Sequence, residues 1–145
     1  MQPNFTNRTS TVLIIDNDPD VIAILKAQLS EEGMDVKTCA GINNISQLLA
    51  DVKPDLLIID YLLHAASGGE LCREIKTSAR SKNLPVIILS AYPRVVIPKE
   101  NLSCNLLIQK PFNIKKLAAQ VKLLMFNYKH EPIRLPVYRS PMIAC

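Results

Sequence analysis

Four side chains with complementary chemistry each follow a short apolar run: Asp16, Asp60, Ser90 and Lys110. Two carboxylates, a hydroxyl and an ammonium are the groups that phosphoryl chemistry needs. A carboxylate attacking phosphorus is repelled by the anionic oxygens, and a divalent cation with a fixed ammonium relieves that repulsion. Mg²⁺ prefers oxygen ligands and takes one or two carboxylates beside a phosphate oxygen, which suits Asp16 and Asp60. The residue types therefore predict Mg²⁺-assisted phosphoryl chemistry, if the fold brings them together.

The elements that would position these side chains alternate along the chain. Continuous apolar runs of four or so residues are typical of strands that are covered on both faces of a parallel sheet. Such runs occupy residues 12–15, 56–59, 86–89 and 106–108, with a weaker edge strand at 36–40. Between them apolar residues recur at helical spacing, most clearly over 114–125, where Asn113 is placed as the N-cap. The pattern predicts right-handed βαβ units and a doubly wound α/β sheet of about five strands.

Parallel strands share one carboxyl edge, and ligands of open α/β sheets bind there. Each of the four side chains comes directly after, or within two residues of, the end of an apolar run. A single Asp in such a place is more often a helix cap than a catalyst, and a single Lys is usually solvated. Four complementary groups at one edge are much harder to explain in that way, so we predict a site there.

Prolines limit the regular elements in two regions. Pro93 and Pro98 interrupt residues 92–101, where the helix before the last strand is expected, so this element should be short or irregular. Three further prolines fall within residues 127–145 and exclude a long helix there. We therefore predict a disordered segment at 1–10, one domain over 11–126 and a proline-containing tail at 127–145.

Composition sets the class of protein. The chain has 145 residues, of which 48% are hydrophobic and 21% charged, enough for one complete core. No apolar run approaches the ~20 residues of a membrane span, and the polar start has no signal-peptide character, so a cytoplasmic protein is expected. Lys and Arg are concentrated after residue 109, but without interleaved aromatic residues or a dense patch. Direct binding to nucleic acid or membrane is therefore not expected.

The order of the motifs resembles that of a known family. The sequence contains, in this order, VLIIDNDPD, LLIIDY, VIILSA and IQKPF. Over residues 11–126 this resembles the receiver domain of two-component response regulators. The resemblance implies a flavodoxin-like sheet with strand order 2-1-3-4-5. Flavodoxin and a chemotaxis receiver both have this strand order.

The resemblance also implies roles for individual residues. Asp60 would accept a phosphoryl group from a phosphohistidine, Ser90 would hydrogen-bond a phosphoryl oxygen, and Lys110 would pair with the carboxylate or the phosphoryl group. It implies that Mg²⁺ is held by Asp16, Asn17, Asp60 and the backbone carbonyl of Leu62.

The implied function is a stand-alone phosphoacceptor in a phosphorelay rather than an enzyme. Its partners would be a sensor histidine kinase or a histidine phosphotransfer protein, and a downstream protein target. The 19 residues after Phe126 are too few for a DNA-binding unit. We therefore expect the signal to leave by protein contact.

Several residues depart from the family pattern. Asn17 stands where the family has the second residue of an acid pair, although Asp18 follows it. Leu107 occupies the position, three residues before the lysine, where the family often has an aromatic residue. His64, in the loop after Asp60, is expected to face solvent, because Mg²⁺ disfavours imidazole.

Two other functions remain compatible with the sequence. The departures from the family pattern favour a receiver-like interaction module that is not phosphorylated. The sequence Asp16-Asn17-Asp18 also fits the D-x-D signature of haloacid-dehalogenase-like phosphatases, with Asp16 as the nucleophile. That family needs a further acidic pair after the lysine, where this chain has only Glu131, and it leaves Asp60 without a role.

Overall fold

Strands and helices alternate in the computed structural model, which describes residues 8–63 and 66–130. All pairings between neighbouring strands are parallel, and the strand order is β2-β1-β3-β4-β5. The elements are β1 (Thr11–Ile15), α1 (Pro19–Glu31), β2 (Asp35–Cys39), α2 (Ile45–Val52), β3 (Leu56–Asp60), α3 (Gly68–Thr77), β4 (Val86–Ser90), β5 (Leu106–Gln109) and α4 (Ile114–His130). The doubly wound fold and the predicted strand order are confirmed.

The sheet is buried on both faces, which explains why its strands are continuously apolar. Successive residues of a strand point to opposite faces, so Ile14 and Ile58 pack beneath α1 and α4, whereas Ile15 and Ile59 pack beneath α2 and α3. All four side chains are 0% exposed. Burial of this kind is the main favourable term in folding, at roughly 25 cal/mol per Å² of apolar surface. It fixes the strands whose ends carry the candidate site.

Side chains cap the helices at the edge where the site lies. Asp18 is the N-cap of α1, and its carboxylate accepts a hydrogen bond from the backbone N–H of Asp20 at 2.9 Å. Pro19 follows as the first helical residue, a position where its missing N–H costs nothing. Asn113 caps α4 by accepting from the backbone N–H of Lys116 at 3.0 Å, as predicted. These caps satisfy N–H groups that no helical carbonyl can reach.

The connection between β4 and β5 contains two short 3-10 turns instead of a helix. They are Arg94–Val96 and Lys99–Asn101, and a proline precedes each of them. The prediction of a short or irregular element over residues 92–101 is therefore confirmed. Between the two turns lies Ile97, which is buried. The apolar tip before it is open to solvent, with Val95 89% and Val96 60% exposed.

The chain ends differ in part from the predicted limits. Residues 1–7 of the predicted disordered segment lie outside the described residues, but Arg8 forms an ion pair with Asp55 and the carbonyl of Ser10 accepts from the N–H of Asp35 at 2.8 Å. At the other end, α4 continues past residue 126 to His130. The sequence offers no proline before Pro132 to stop it. The rest of the predicted tail, 131–145, and His64 also lie outside the described residues. None of the helices described is long and apolar enough to cross a membrane.

Candidate functional site

Three of the four predicted side chains meet directly at the carboxyl edge of the sheet. Asp16 follows β1, Asp60 ends β3, and Lys110 follows β5. The Lys110 Nζ lies 3.3 Å from Asp16 Oδ2 and 3.3 Å from Asp60 Oδ1. Both carboxylates are nearly inaccessible, with Asp16 at 0% and Asp60 at 8% exposure. The sheet thus brings together two carboxylates and one lysine ammonium that are far apart in sequence.

Ser90 lies on the neighbouring strand and is buried. Leu89 is opposite Asp60 in the β3–β4 register, so Ser90 is one residue further toward the same edge. Its hydroxyl donates to the carbonyl of Tyr92 and accepts from the N–H of Tyr92, both at 2.9 Å. The backbone N–H of Lys110 in turn donates to the carbonyl of Ser90 at 2.7 Å. In this state the Ser90 hydroxyl therefore holds the turn after β4.

Among the described residues, the site contains two carboxylates but only one ammonium close to them, so negative charge exceeds positive charge. Burial raises the pKa of Asp60 above its ordinary value, and the nearby Asp16 carboxylate raises it further. The ammonium of Lys110 and a hydrogen bond from the backbone N–H of Leu62 act in the opposite direction but do not offset these two effects. Two carboxylates share one ammonium, so a cation bound here would meet uncompensated negative charge.

The oxygen donors fit a hard divalent cation such as Mg²⁺. In the described part of the chain no three Asp, Glu, His or Cys side chains are grouped to hold a metal. A cation here would therefore rely on Asp16 and Asp60 together with amide or main-chain oxygens, as predicted for Asn17 and Leu62. Asp18 is engaged elsewhere: its carboxylate caps α1, and its N–H donates to Asp16 Oδ1 at 2.8 Å. The ligand roles of Asn17 and of the Leu62 carbonyl remain predictions.

Sequence reasoning did not single out Tyr61, which directly follows Asp60. Its ring meets that of Tyr92 edge to face, with 6.3 Å between ring centroids and 81° between planes. Its hydroxyl accepts a hydrogen bond from Asn101 Nδ2 at 3.2 Å. An aromatic residue next to Asp60 was the only signal for this cluster, because both partners are distant in sequence.

A close approach at the start of α3 was also missed. The N–H of Gly68 donates to the carbonyl of Tyr61 at 2.6 Å. A Cβ at Gly68 would lie 2.3 Å from the backbone oxygen of Asp60, so only glycine fits against this part of β3. The packing of α3 thereby fixes the main chain that carries the candidate acceptor.

Known proteins share this sequence pattern and this fold. The sequence profile of the response regulator receiver domain matches residues 12–122. A putative response regulator from Chloroflexus aurantiacus is similar at 28% identity, with a TM-score of 0.74 over 81% of this chain and 98% of that one. The response regulator TrrA from Thermotoga maritima, solved in complex with Mg²⁺-BeF, is similar at 27% identity, with a TM-score of 0.71 over 80% and 99%. A signal receiver domain from Pseudomonas fluorescens shares the fold at 19% identity, with a TM-score of 0.80 over 93% and 100%.

Proposed function

Because this chain belongs to the response regulator receiver domain family, we propose that it accepts a phosphoryl group on Asp60 from the phosphohistidine of a partner protein. The observation that carries the proposal is the position of Lys110, which reaches both Asp16 and Asp60 at 3.3 Å. A structural cap would need only one acid, whereas an acceptor needs a second acid and a fixed ammonium. The family match favours this function over the phosphatase alternative, in which Asp60 has no role.

In the proposed transfer, a carboxylate oxygen of Asp60 attacks phosphorus in line with the departing imidazole nitrogen. The N–P bond of the donor breaks as the O–P bond of an acyl phosphate forms, and the electron pair stays on the imidazole. Bound Mg²⁺, held by Asp16, Asp60, Asn17 and the Leu62 carbonyl, would supply positive charge for the phosphoryl oxygens. Lys110 favours the ionised form of Asp60 that attacks, and so opposes the burial and the Asp16 charge that raise its pKa.

Ser90 and Lys110 would then hold the product. The Ser90 hydroxyl turns from the carbonyl of Tyr92 to a phosphoryl oxygen, exchanging one acceptor for a charged and therefore stronger one. Lys110 retains Asp16 as a partner while pairing with the new phosphoryl group. In this proposal the cognate partners are a histidine kinase or a histidine phosphotransfer protein, and a downstream protein that distinguishes the two states.

The direct test is incubation of the chain with acetyl phosphate and Mg²⁺, followed by intact-mass measurement. We expect a persistent added phosphoryl group. No such group should form when Mg²⁺ is chelated before the donor is added. An unchanged mass would instead support the non-phosphorylated interaction module. Rapid turnover of phosphomonoesters without a lasting adduct would support the phosphatase.

Asn17→Asp should tighten Mg²⁺ binding by about tenfold. The substitution restores a negative charge a few ångströms from the cation, and such a charge is worth about 1 to 2 kcal/mol after solvation losses. Titration calorimetry of the two proteins measures the difference, and phosphorylation by acetyl phosphate should accelerate with it. Asp18→Asn is the matched control, because it removes a neighbouring charge but keeps an oxygen that can cap α1. Equal affinities for Asn17→Asp and the parent would exclude Asn17 from the metal site.

Leu62→Asn should shorten the life of the acyl phosphate by about tenfold, since an amide can orient a water for attack and a leucine cannot. The Leu62 side chain, two residues after Asp60, is 59% exposed, and as a hydrocarbon it offers no hydrogen bond to incoming water. Decay is followed by intact mass after removal of the donor. Leu62→Ala opens the same space without adding a polar group. Equal decay of the Asn and Ala variants would mean that access, and not hydrogen bonding, limits hydrolysis.

A further inference from the structure

The main chain of Tyr61 is fixed on both sides. Its N–H donates to the carbonyl of Leu89 in β4 at 2.8 Å, and its own carbonyl accepts from Gly68 in α3 at 2.6 Å. Asp60, one residue earlier, is paired within the sheet. With the backbone held in this way, the direction of the Tyr61 Cα–Cβ bond is fixed.

The Tyr61 side chain contacts both ends of the 92–101 segment, which forms most of the connection between β4 and β5. Its ring meets Tyr92, at the start of this segment, and its hydroxyl accepts from Asn101, at the end. The Tyr92 end is also tied to the Ser90 hydroxyl. The Asn101 end lies against α3, where a Cβ on Gly69 would come within 2.4 Å of Asn101 Cβ. The Tyr61 side chain therefore links the two ends of the 92–101 segment, whose middle residues Val95 and Val96 are exposed.

We propose that Tyr61 is a positioning residue that couples the state of Asp60 to the 92–101 connection. In the resting state its hydroxyl holds Asn101 and its ring holds Tyr92. When Ser90 releases the Tyr92 carbonyl for a phosphoryl oxygen, the Tyr92 turn loses one tie, and the contact with Tyr61 passes the change to Asn101. The exposed apolar tip, Val95 and Val96, is then presented differently to a partner. The second half of this proposal rests on phosphorylation of Asp60.

Four backbone amides in or beside the two 3-10 turns report the state of the connection. Val96, Ile97, Asn101 and Leu102 each donate to a carbonyl three residues earlier, at 2.9 to 3.1 Å. Their hydrogen exchange, followed by NMR in the full chain, measures how often the turns open. Beryllofluoride with Mg²⁺ serves as the phosphoryl mimic.

Tyr61→Phe keeps the ring and removes only the hydroxyl. We expect these amides to exchange roughly threefold to tenfold faster than in the parent, the effect of losing one ordinary hydrogen bond. Asn101→Ala keeps the Cβ beside Gly69 and should give the same increase, and the double variant should exchange no faster than either single one. Tyr92→Phe is the matched control. Its hydroxyl has no hydrogen-bond partner among the described residues, so exchange should match the parent.

Addition of beryllofluoride and Mg²⁺ tests the coupling itself. The parent and Tyr92→Phe should show a change in exchange at these amides, and Tyr61→Phe should bind the anion but lose most of that change. An equal response in Tyr61→Phe and the parent would overturn the coupling. Additive effects of Tyr61→Phe and Asn101→Ala without the anion would show that the hydrogen bond between Tyr61 and Asn101 does not hold the turns closed. A parent chain that binds no anion would instead contradict the proposed function. The exchange rates measured without anion would still test the role of the Tyr61–Asn101 hydrogen bond.

Discussion

Asp60→Asn should abolish the phosphoryl adduct completely. The amide keeps the shape of the side chain, but it has no anionic oxygen to attack phosphorus and cannot form an acyl phosphate. Intact-mass measurement after incubation with acetyl phosphate and Mg²⁺ checks this directly. Asp51→Asn is the matched control, because Asp51 is an exposed carboxylate on α2 that accepts a hydrogen bond from Gln47 Nε2 at 2.8 Å. Labelling of Asp60→Asn to the level of the control would place the acceptor elsewhere.

The same variant should change how stability depends on pH. Since the pKa of Asp60 is raised in the folded state, the folded chain binds this proton more tightly than the unfolded chain does. The free energy of unfolding therefore falls as pH rises from the ordinary aspartate value to the raised one, and the penalty is complete above it. Metal-free Asp60→Asn should unfold at a higher temperature than the parent at about pH 7 and show a smaller gain at about pH 4. An equal gain at both values would mean that charge is not the cause.

Gly68→Ala should destabilise the chain by about 2 to 3 kcal/mol. The new Cβ would meet the backbone oxygen of Asp60 at 2.3 Å and the Tyr61 Cα at 3.0 Å. Both are main-chain atoms that cannot rotate away, so α3 must shift from β3. This separation would also disturb the main chain of Asp60, so phosphorylation should slow as well. Denaturant unfolding gives the stability change.

Gly41→Ala provides the comparison for this loss. A Cβ at Gly41 meets nothing within 4 Å, so its free energy of unfolding should stay within about 0.5 kcal/mol of the parent. The two substitutions are chemically identical and differ only in the space around them. If both variants unfolded at the same denaturant concentration as the parent, the close packing of α3 on Asp60 would be wrong.

Much of the fold and the meeting of three site residues could be predicted because local sequence patterns carry the signal. Continuous apolar runs identify strands buried on both faces, and parallel strands must end at one edge. From that alone, Asp16, Asp60 and Lys110 were expected together, and the 3.3 Å distances agree. Pro93 and Pro98 likewise predicted an irregular connection, because proline cannot sit inside a helix.

Other features depend on tertiary packing that no local pattern encodes. Tyr61 and Asn101 are 40 residues apart and meet only because a 3-10 turn packs on α3. Nothing in the sequence around Gly68 shows that the Asp60 carbonyl lies against it. For Asp18 a local signal was present: an acid directly before proline at a helix start is a typical N-cap.

The Lys110 contacts also bear on the order in which the site assembles after synthesis. They join residues that are 94 and 50 positions apart, so their formation requires strands from the beginning, middle and end of the chain. Contacts of such long sequence separation carry a large loop-closure cost and form slowly. A nascent chain with β1 and β3 paired but β5 not yet docked would hold the two carboxylates close together without the Lys110 ammonium between them. The strand that completes the sheet also brings the ammonium to the two carboxylates, so an unfinished chain lacks the positive charge that the proposed phosphoryl transfer requires.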